Sequence, residues 1–175
     1  MSKIGTYRLV FISPLLLNCC DEARADIKIV DPHYTLSLSG DRTEEPSTDS
    51  EQHTLVSETR AVHVVTSAMG IKARRSQTKM IADNLVKLRL RAEAKAAQIR
   101  NLKLVIVEPI VVRQPWGHAV AYYGSDSRGR QFNYSGSVTP TAVISIYGEC
   151  WTTEKKLGAI MKELIDGFEF AKSAK

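Results

Sequence analysis

Cysteine is scarce in this chain, and the residue arrangements that carry the common chemistries are missing. Three cysteines in 175 residues, two adjacent (Cys19, Cys20) and one distant (Cys150), supply neither a disulfide framework nor a zinc quartet. The four histidines, His33, His53, His63 and His118, never recur at the four-residue spacing that puts two ligands on one helix face. There is no HExxH, CxxC, GxSxG or GxGxxG, and no phosphate-binding glycine loop; YGSDSRGR has two glycines at the wrong spacing. The adjacent carboxylates Glu44 and Glu45 lie in a polar stretch where water levels their chemistry. Cys150 lacks the flanking residues of a cysteine nucleophile, and His63 and His118 read as structural histidines. No catalytic residue, cofactor or metal site is therefore expected, and the chain does not read as an enzyme.

Strong charge of one sign is also missing. Twenty-four basic residues against 19 acidic ones leave +5 and a pI near 9.2. That excess leans toward acidic protein surfaces and falls short of a nucleic-acid footprint, so no nucleic-acid partner is expected. The apolar run LVFISPLLL, residues 9–17, is too short for the roughly 20 residues a membrane-spanning helix needs. Lys3 and Arg8 precede that run and ARA (Ala23, Arg24, Ala25) follows it, which is the pattern of a secretory signal. The chain thus divides into a signal peptide over residues 1–25 and one domain over 26–175, placed in the periplasm or beyond. Two readings stand beside this one: an ordinary N-terminus of a cytoplasmic protein, and lipid attachment at Cys19.

What the chain does contain is alternation. Tyr34, Leu36 and Leu38 share one side of a strand, with Thr35, Ser37 and Ser39 on the other. DRTEEPSTDSEQ, residues 41–52, is polar, interrupted by Pro46, and reads as a long exposed loop. Two short strands are predicted near 53–57 and 61–67. A helix follows, capped by Ser76, with Ile81, Leu85, Leu88, Ala92, Ala96 and Ile99 as its apolar stripe. Lys79, Lys87, Arg91 and Lys95 on its other side read as solvated charge. NLKLVIVEPIVV, residues 101–112, is a β-branched run broken at Pro109. GHAVAYYG, RQFNYSGSV and AVISIYGEC form a three-stranded meander, with SDSRG as a hairpin turn. A closing helix is predicted with Thr152 or Thr153 as cap, Glu154 in its first turn, and a stripe of Leu157, Ile160, Met161, Leu164 and Phe168. The order implies an α+β fold, an antiparallel sheet with helices packed on one face.

PHYTLSLSGD as an opening strand, QTKMIADNLVKLRLRAEAKAAQI as a central helix, the meander of residues 117–150, and KKLGAIMKELIDGFEF as a closing helix together resemble the PsbP-like superfamily. That superfamily takes in photosystem II PsbP, the Ran-binding Mog proteins and bacterial DcrB-like domains, and the resemblance runs over residues 27–170. It implies an α/β/α-type sandwich and a non-enzymatic accessory role in the bacterial envelope, exercised by binding another protein. The alternative it implies is an immunity or adaptor protein of a toxin-secretion system. The aromatic content of the meander points the same way. Trp116, Tyr123, Arg128, Arg130 and Tyr134 are the expected partner contacts, since Trp, Tyr and Arg are the usual interface anchors. Aromatics filling the core by cross-strand pairing are the competing reading.

Export has a direct check. Expressed full-length in a bacterial host, the chain is expected to yield a periplasmic product that begins at Asp26 by intact mass; a cytoplasmic product keeping Met1 removes the signal-peptide reading.

Overall fold

The computed structural model describes residues 27–38, 42–47, 49, 52–57, 61–151 and 156–171. The expected signal segment, Cys19, and the cap at Thr152 or Thr153 with Glu154 lie outside the described residues. Among those described, the strands are β1 (Ile27–Val30), β2 (Tyr34–Leu38), β3 (Arg42–Glu45), β4 (Gln52–Ser57), β5 (Val62–Gly70), β6 (Leu104–Ile106), β7 (Ile110–Gln114), β8 (Gly117–Asp126), β9 (Gln131–Val138), β10 (Ala142–Cys150) and β11 (Phe168–Phe170). The helices are α1 (Thr78–Ile99) and α2 (Lys156–Asp166).

A large antiparallel sheet runs in the order β3-β4-β5-β10-β9-β8-β6, with β7 also paired to β8, and a small sheet runs β1-β2-β11. β6 and β7 act as one broken edge strand. Val105 opposes Ser125 and Ile110 opposes Ala121, and the break falls at residues 107–109, where Pro109 has no N–H to offer the ladder. At the β8–β9 hairpin, Gly129 takes φ +86° and its N–H closes the turn on the Asp126 carbonyl at 3.0 Å. SDSRG is thus the expected turn, and β8, β9 and β10 are the expected meander.

β10 shows how the layers divide. Ile144, Ile146 and Cys150 face a core shared with Val64 of β5, Leu36 of β2, and Leu157, Met161 and Leu164 of α2. Val143 and Tyr147 face the opposite core, with Val120, Tyr122, Phe132, Tyr134 and Val138 under Ala82 and Val86 of α1. The large sheet is therefore the middle layer of a sandwich, with α1 on one side and α2 plus the small sheet on the other. The α+β class and the sandwich form are those expected. The helices, however, cover opposite faces, because β10 is apolar on both sides and demands a cover for each.

Three local expectations change. Residues 42–45 of the expected loop pair with β4 as an edge strand, and polar side chains suit that exposed edge. Ser76 caps no helix: Arg75–Gln77 form a 3₁₀ turn before α1, and no side-chain cap bond is made. The buried stripe of α1 is Thr78, Ala82, Val86 and Ala97, which leaves Leu88 and Ile99 exposed on its flank. Finally, α2 ends at Asp166, and Phe168 belongs to β11, paired with Leu36 rather than continuing the helical stripe.

The two sheets are joined by a buried bond, Tyr34 Oη to Thr66 Oγ1 at 2.8 Å. Burial pushes the Tyr34 hydroxyl from its ordinary 10 up to about 12, with Asp31 and Glu44 adding to the rise. A raised value means the neutral form is favoured in the folded state, so this stabilisation is whole below pH 10 and drains away as pH climbs through 12. Tyr34→Phe leaves the Thr66 hydroxyl buried and unpaired and is expected to cost about 1–3 kcal/mol in urea unfolding. The variant should also lose part of the stability decline between those two pH values.

Candidate functional site

Arg130 sits just after the hairpin turn and only 6% exposed, too deep to meet a partner. Its guanidinium gathers three carboxylates from three parts of the chain: Asp126 at 3.0 Å, Glu149 of β10 at 3.0 Å and Glu93 of α1 at 3.1 Å. It also donates to Tyr147 Oη at 3.2 Å and lies over the Phe132 ring, 4.8 Å from its centroid. Burial opposes the Arg130 charge, but Tyr147, Glu149 and Glu93 outweigh it and hold the cation firmly. Burial likewise works against Asp126 ionising. Its bonds from the Arg128 N–H, and from the Arg130 N–H and guanidinium, nevertheless keep its carboxyl below the ordinary 3.8.

Tyr134 is also removed from the surface. It is fully buried on the α1 side, stacked on Tyr122 at 5.1 Å, bonded to Ser145 Oγ at 2.8 Å, and covered by Arg89 at 5.0 Å. Of the five expected contacts, then, Arg130 and Tyr134 are corrected to interior positions. An alternating strand sends every second residue under α1, and these two fall on that parity.

The other parity opens to solvent. Arg42 of β3 clasps Glu163 of α2 with two bonds of 3.2 and 2.7 Å, which holds α2 toward the β3 side of the sheet. Gly148 assists, since a Cβ there would stand 2.8 Å from Met161 Sδ. The face of β6, β7 and β8 beyond α2 is left with exposed apolar side chains: Val105 (64%), Val107, Ile110, Val112 and Tyr123 (56%). Cross-strand register places Val105 beside Ser125, Ile110 beside Ala121 and Val112 beside Ala119, all on the Tyr123 side of β8. Between this apron and α2, two hollows follow β9. One, about 340 Å³, has Tyr123, Asn133, Leu157 and Gly158 in its lining. The next, about 190 Å³, is lined by Trp116, Ser135, Ser137, Ile165 and Phe168 among others. Gly124 shapes the first: a Cβ there would come within 2.5 Å of both the Phe132 ring and the Val105 carbonyl.

Trp116 packs against Phe170 at 5.0 Å and walls the second hollow, Tyr123 stands in the first, and Arg128 is exposed at the hairpin tip. These three expected contacts lie on one accessible side or its rim. The aliphatic apron was missed, although a β-branched run broken by proline is the signal of an edge strand with an uncovered face. The chemistry considered for cysteine and histidine finds no support in the geometry. Cys150 is fully buried, and His63 on β5 and His118 on β8 are separated by β10 and β9.

This architecture is the PsbP-like fold. By sequence, no family model and no curated protein matches the chain. Among solved structures it is similar to cyanobacterial PsbP (CyanoP) from Synechocystis sp. PCC 6803, with TM-score 0.65 and 8% identity, covering 83% of this chain and 92% of that one. A crystal structure from Bacteroides thetaiotaomicron aligns with TM-score 0.44 and 11% identity, over 85% of this chain and 49% of the other.

Removing Arg130 strands buried carboxylates. Arg130→Gln is expected to cost about 3–5 kcal/mol in urea unfolding near neutral pH. A carboxyl with a depressed folded value stabilises above its unfolded value and loses that contribution as pH falls. The gap between Arg130→Gln and the parent chain should therefore narrow as pH drops through 3.8 and below.

Proposed function

We propose that this chain is a non-enzymatic accessory protein of the bacterial cell envelope that binds another protein through the open sheet face beside α2. One observation carries the reading: five exposed apolar side chains on a single face, bordering hollows with polar floors and apolar walls. Monomeric proteins rarely leave such contiguous apolar surface without a use. Asn133, Ser135 and Ser137 along β9 offer hydrogen-bonding groups to a polypeptide backbone, while Leu157, Ile165 and Phe168 offer apolar walls to its side chains. The occupant this arrangement suits is an extended, apolar-rich segment of a partner protein, because the hollows follow a strand rather than forming one deep pocket. The PsbP-like fold fits a binding or accessory role in general terms, and the basic-apolar-small pattern of residues 1–25 supports an exported setting.

Photo-crosslinking from position 123 in cells, followed by mass identification, is the test. The expected result is one dominant adduct with a specific protein, lost in Val105→Asp/Ile110→Asp and kept in Leu88→Asp, which places the same charge on the exposed flank of α1. A crosslink to a second copy of the chain, with a dimer abolished by Val105→Asp/Ile110→Asp, turns the face into a self-association surface. Adducts unaffected by either variant defeat the reading.

A further inference from the structure

On the other side of the sheet, where α1 begins, basic side chains from four elements converge on one concavity of about 470 Å³. Arg75 comes from the 3₁₀ turn, Lys79 from the first turn of α1, Arg113 from β7 and His118 from β8. Arg113 and His118 are cross-strand partners, which puts their side chains on the same face. Among the described residues, none of those lining the hollow is a carboxylate. Like charges brought to one recess repel and direct their field onto it, although Arg75, Lys79 and Arg113 each remain exposed to water. An anion entering the recess relieves that repulsion. The arrangement also differs from the solvated stripe expected along α1, because it draws on β7 and β8 as well as the helix.

The donors are arranged as well as charged. The Thr78 hydroxyl, fully buried, donates to the Arg75 carbonyl at 2.8 Å, so its oxygen must accept from His118 Nδ1 at 2.9 Å. That assigns the ring proton to Nδ1 and leaves Nε2 uncommitted among the described residues. Arg75 is held by a bond to the Pro115 carbonyl, which uses one of its five N–H groups. Arg113 forms no ion pair among the described residues. Among the described residues Lys79 pairs only with Asp83 one turn on, at 2.8 Å, a pairing weak enough to be given up.

We infer that this hollow binds a phosphate group, held by Arg75, Lys79 and Arg113. The guanidinium fork of Arg113 matches two phosphate oxygens, and Lys79 adds a mobile point charge. The same chemistry is presented by free phosphate and by an anionic lipid headgroup, and the site lies on the face opposite the proposed protein-binding surface.

The test uses the full-length chain with two probes. One is inorganic phosphate titrated calorimetrically at ionic strength matched with chloride. The other is sedimentation with vesicles of phosphatidylglycerol in phosphatidylcholine, against phosphatidylcholine alone. Saturable binding to either probe is expected, weakened about tenfold or more by Arg113→Gln, the size of one lost charge-assisted hydrogen bond. Arg113→Gln/Lys79→Gln should weaken it further, and Lys87→Gln, about two turns further along α1 and outside the hollow's lining, should leave it intact. Both altered side chains are exposed, so melting temperatures should stay unchanged. Binding of phosphate without vesicles assigns the site to a free ligand; binding of anionic vesicles without measurable phosphate heat assigns it to a lipid headgroup. No saturable binding to either probe overturns the inference. So does binding that survives Arg113→Gln/Lys79→Gln or falls equally with Lys87→Gln.

Discussion

Arg130 and its three carboxylates are the constraint on which the arrangement of surfaces depends. Asp126 fixes the hairpin, Glu93 comes from α1 and Glu149 from β10, so one guanidinium ties together the turn, the helix and the central strand. Removing four charges from water is expensive, and such a cluster contributes less to net stability than its bond count suggests. Its consequence is geometric. With Arg130 drawn under α1, residues of the same parity follow it inward, and Tyr123 and Asn133, of the opposite parity, are turned to the open face. The cluster does not touch the candidate binding surface, but it sets which side of β8 and β9 that surface occupies.

The open face exists because its cover is short. α2 runs from Lys156 to Asp166, eleven residues or about 16 Å at the usual helical rise, too little to shield a sheet of this width. Arg42 draws it toward the β3 edge, and β11 turns back to extend the small sheet. α1, twice as long at 22 residues, covers the other face and starts over the first residues of β8, where Thr78 meets His118, leaving the basic hollow at its beginning. The two helices thus leave two different gaps, an apolar one beside α2 and a cationic one at the start of α1. A protein segment and a phosphate group are the ligands whose chemistry suits each.

Much of this was legible in the residues, and the failures have physical causes. Period-two patterns marked β2, β5 and β9 because each alternates buried side chains with less buried ones, while β10, buried on both sides, was marked by its apolar run and the turn before it. The strand β3 was hidden because RTEE is an edge, and edges are kept polar to resist pairing with other chains. Leu88 and Ile99 were expected inside because helical spacing identifies an apolar arc without saying how much of it the sheet is wide enough to cover. Phe168 was assigned to a helix because its spacing from Leu164 suits one; Gly167 interrupts it, packed so closely against the Ser37 carbonyl that a Cβ would stand 2.0 Å away. Tyr134 and Arg130 were expected at a surface because residue type suggests contact, while parity relative to the covering helix decides access.

The sequence by itself determined the α+β class, the three-stranded meander and the SDSRG hairpin, because each of these is written in local periodicity, turn chemistry or residue spacing. The tertiary structure alone decided which face each helix covers, which aromatics remain in solvent, and that Arg75, Lys79, Arg113 and His118 meet around one hollow. Those outcomes depend on contacts between residues far apart in the chain, 43 positions for Arg75 and His118 and 121 for Arg42 and Glu163. Such proximities are set by the packing of helices on a sheet, to which local pattern is blind.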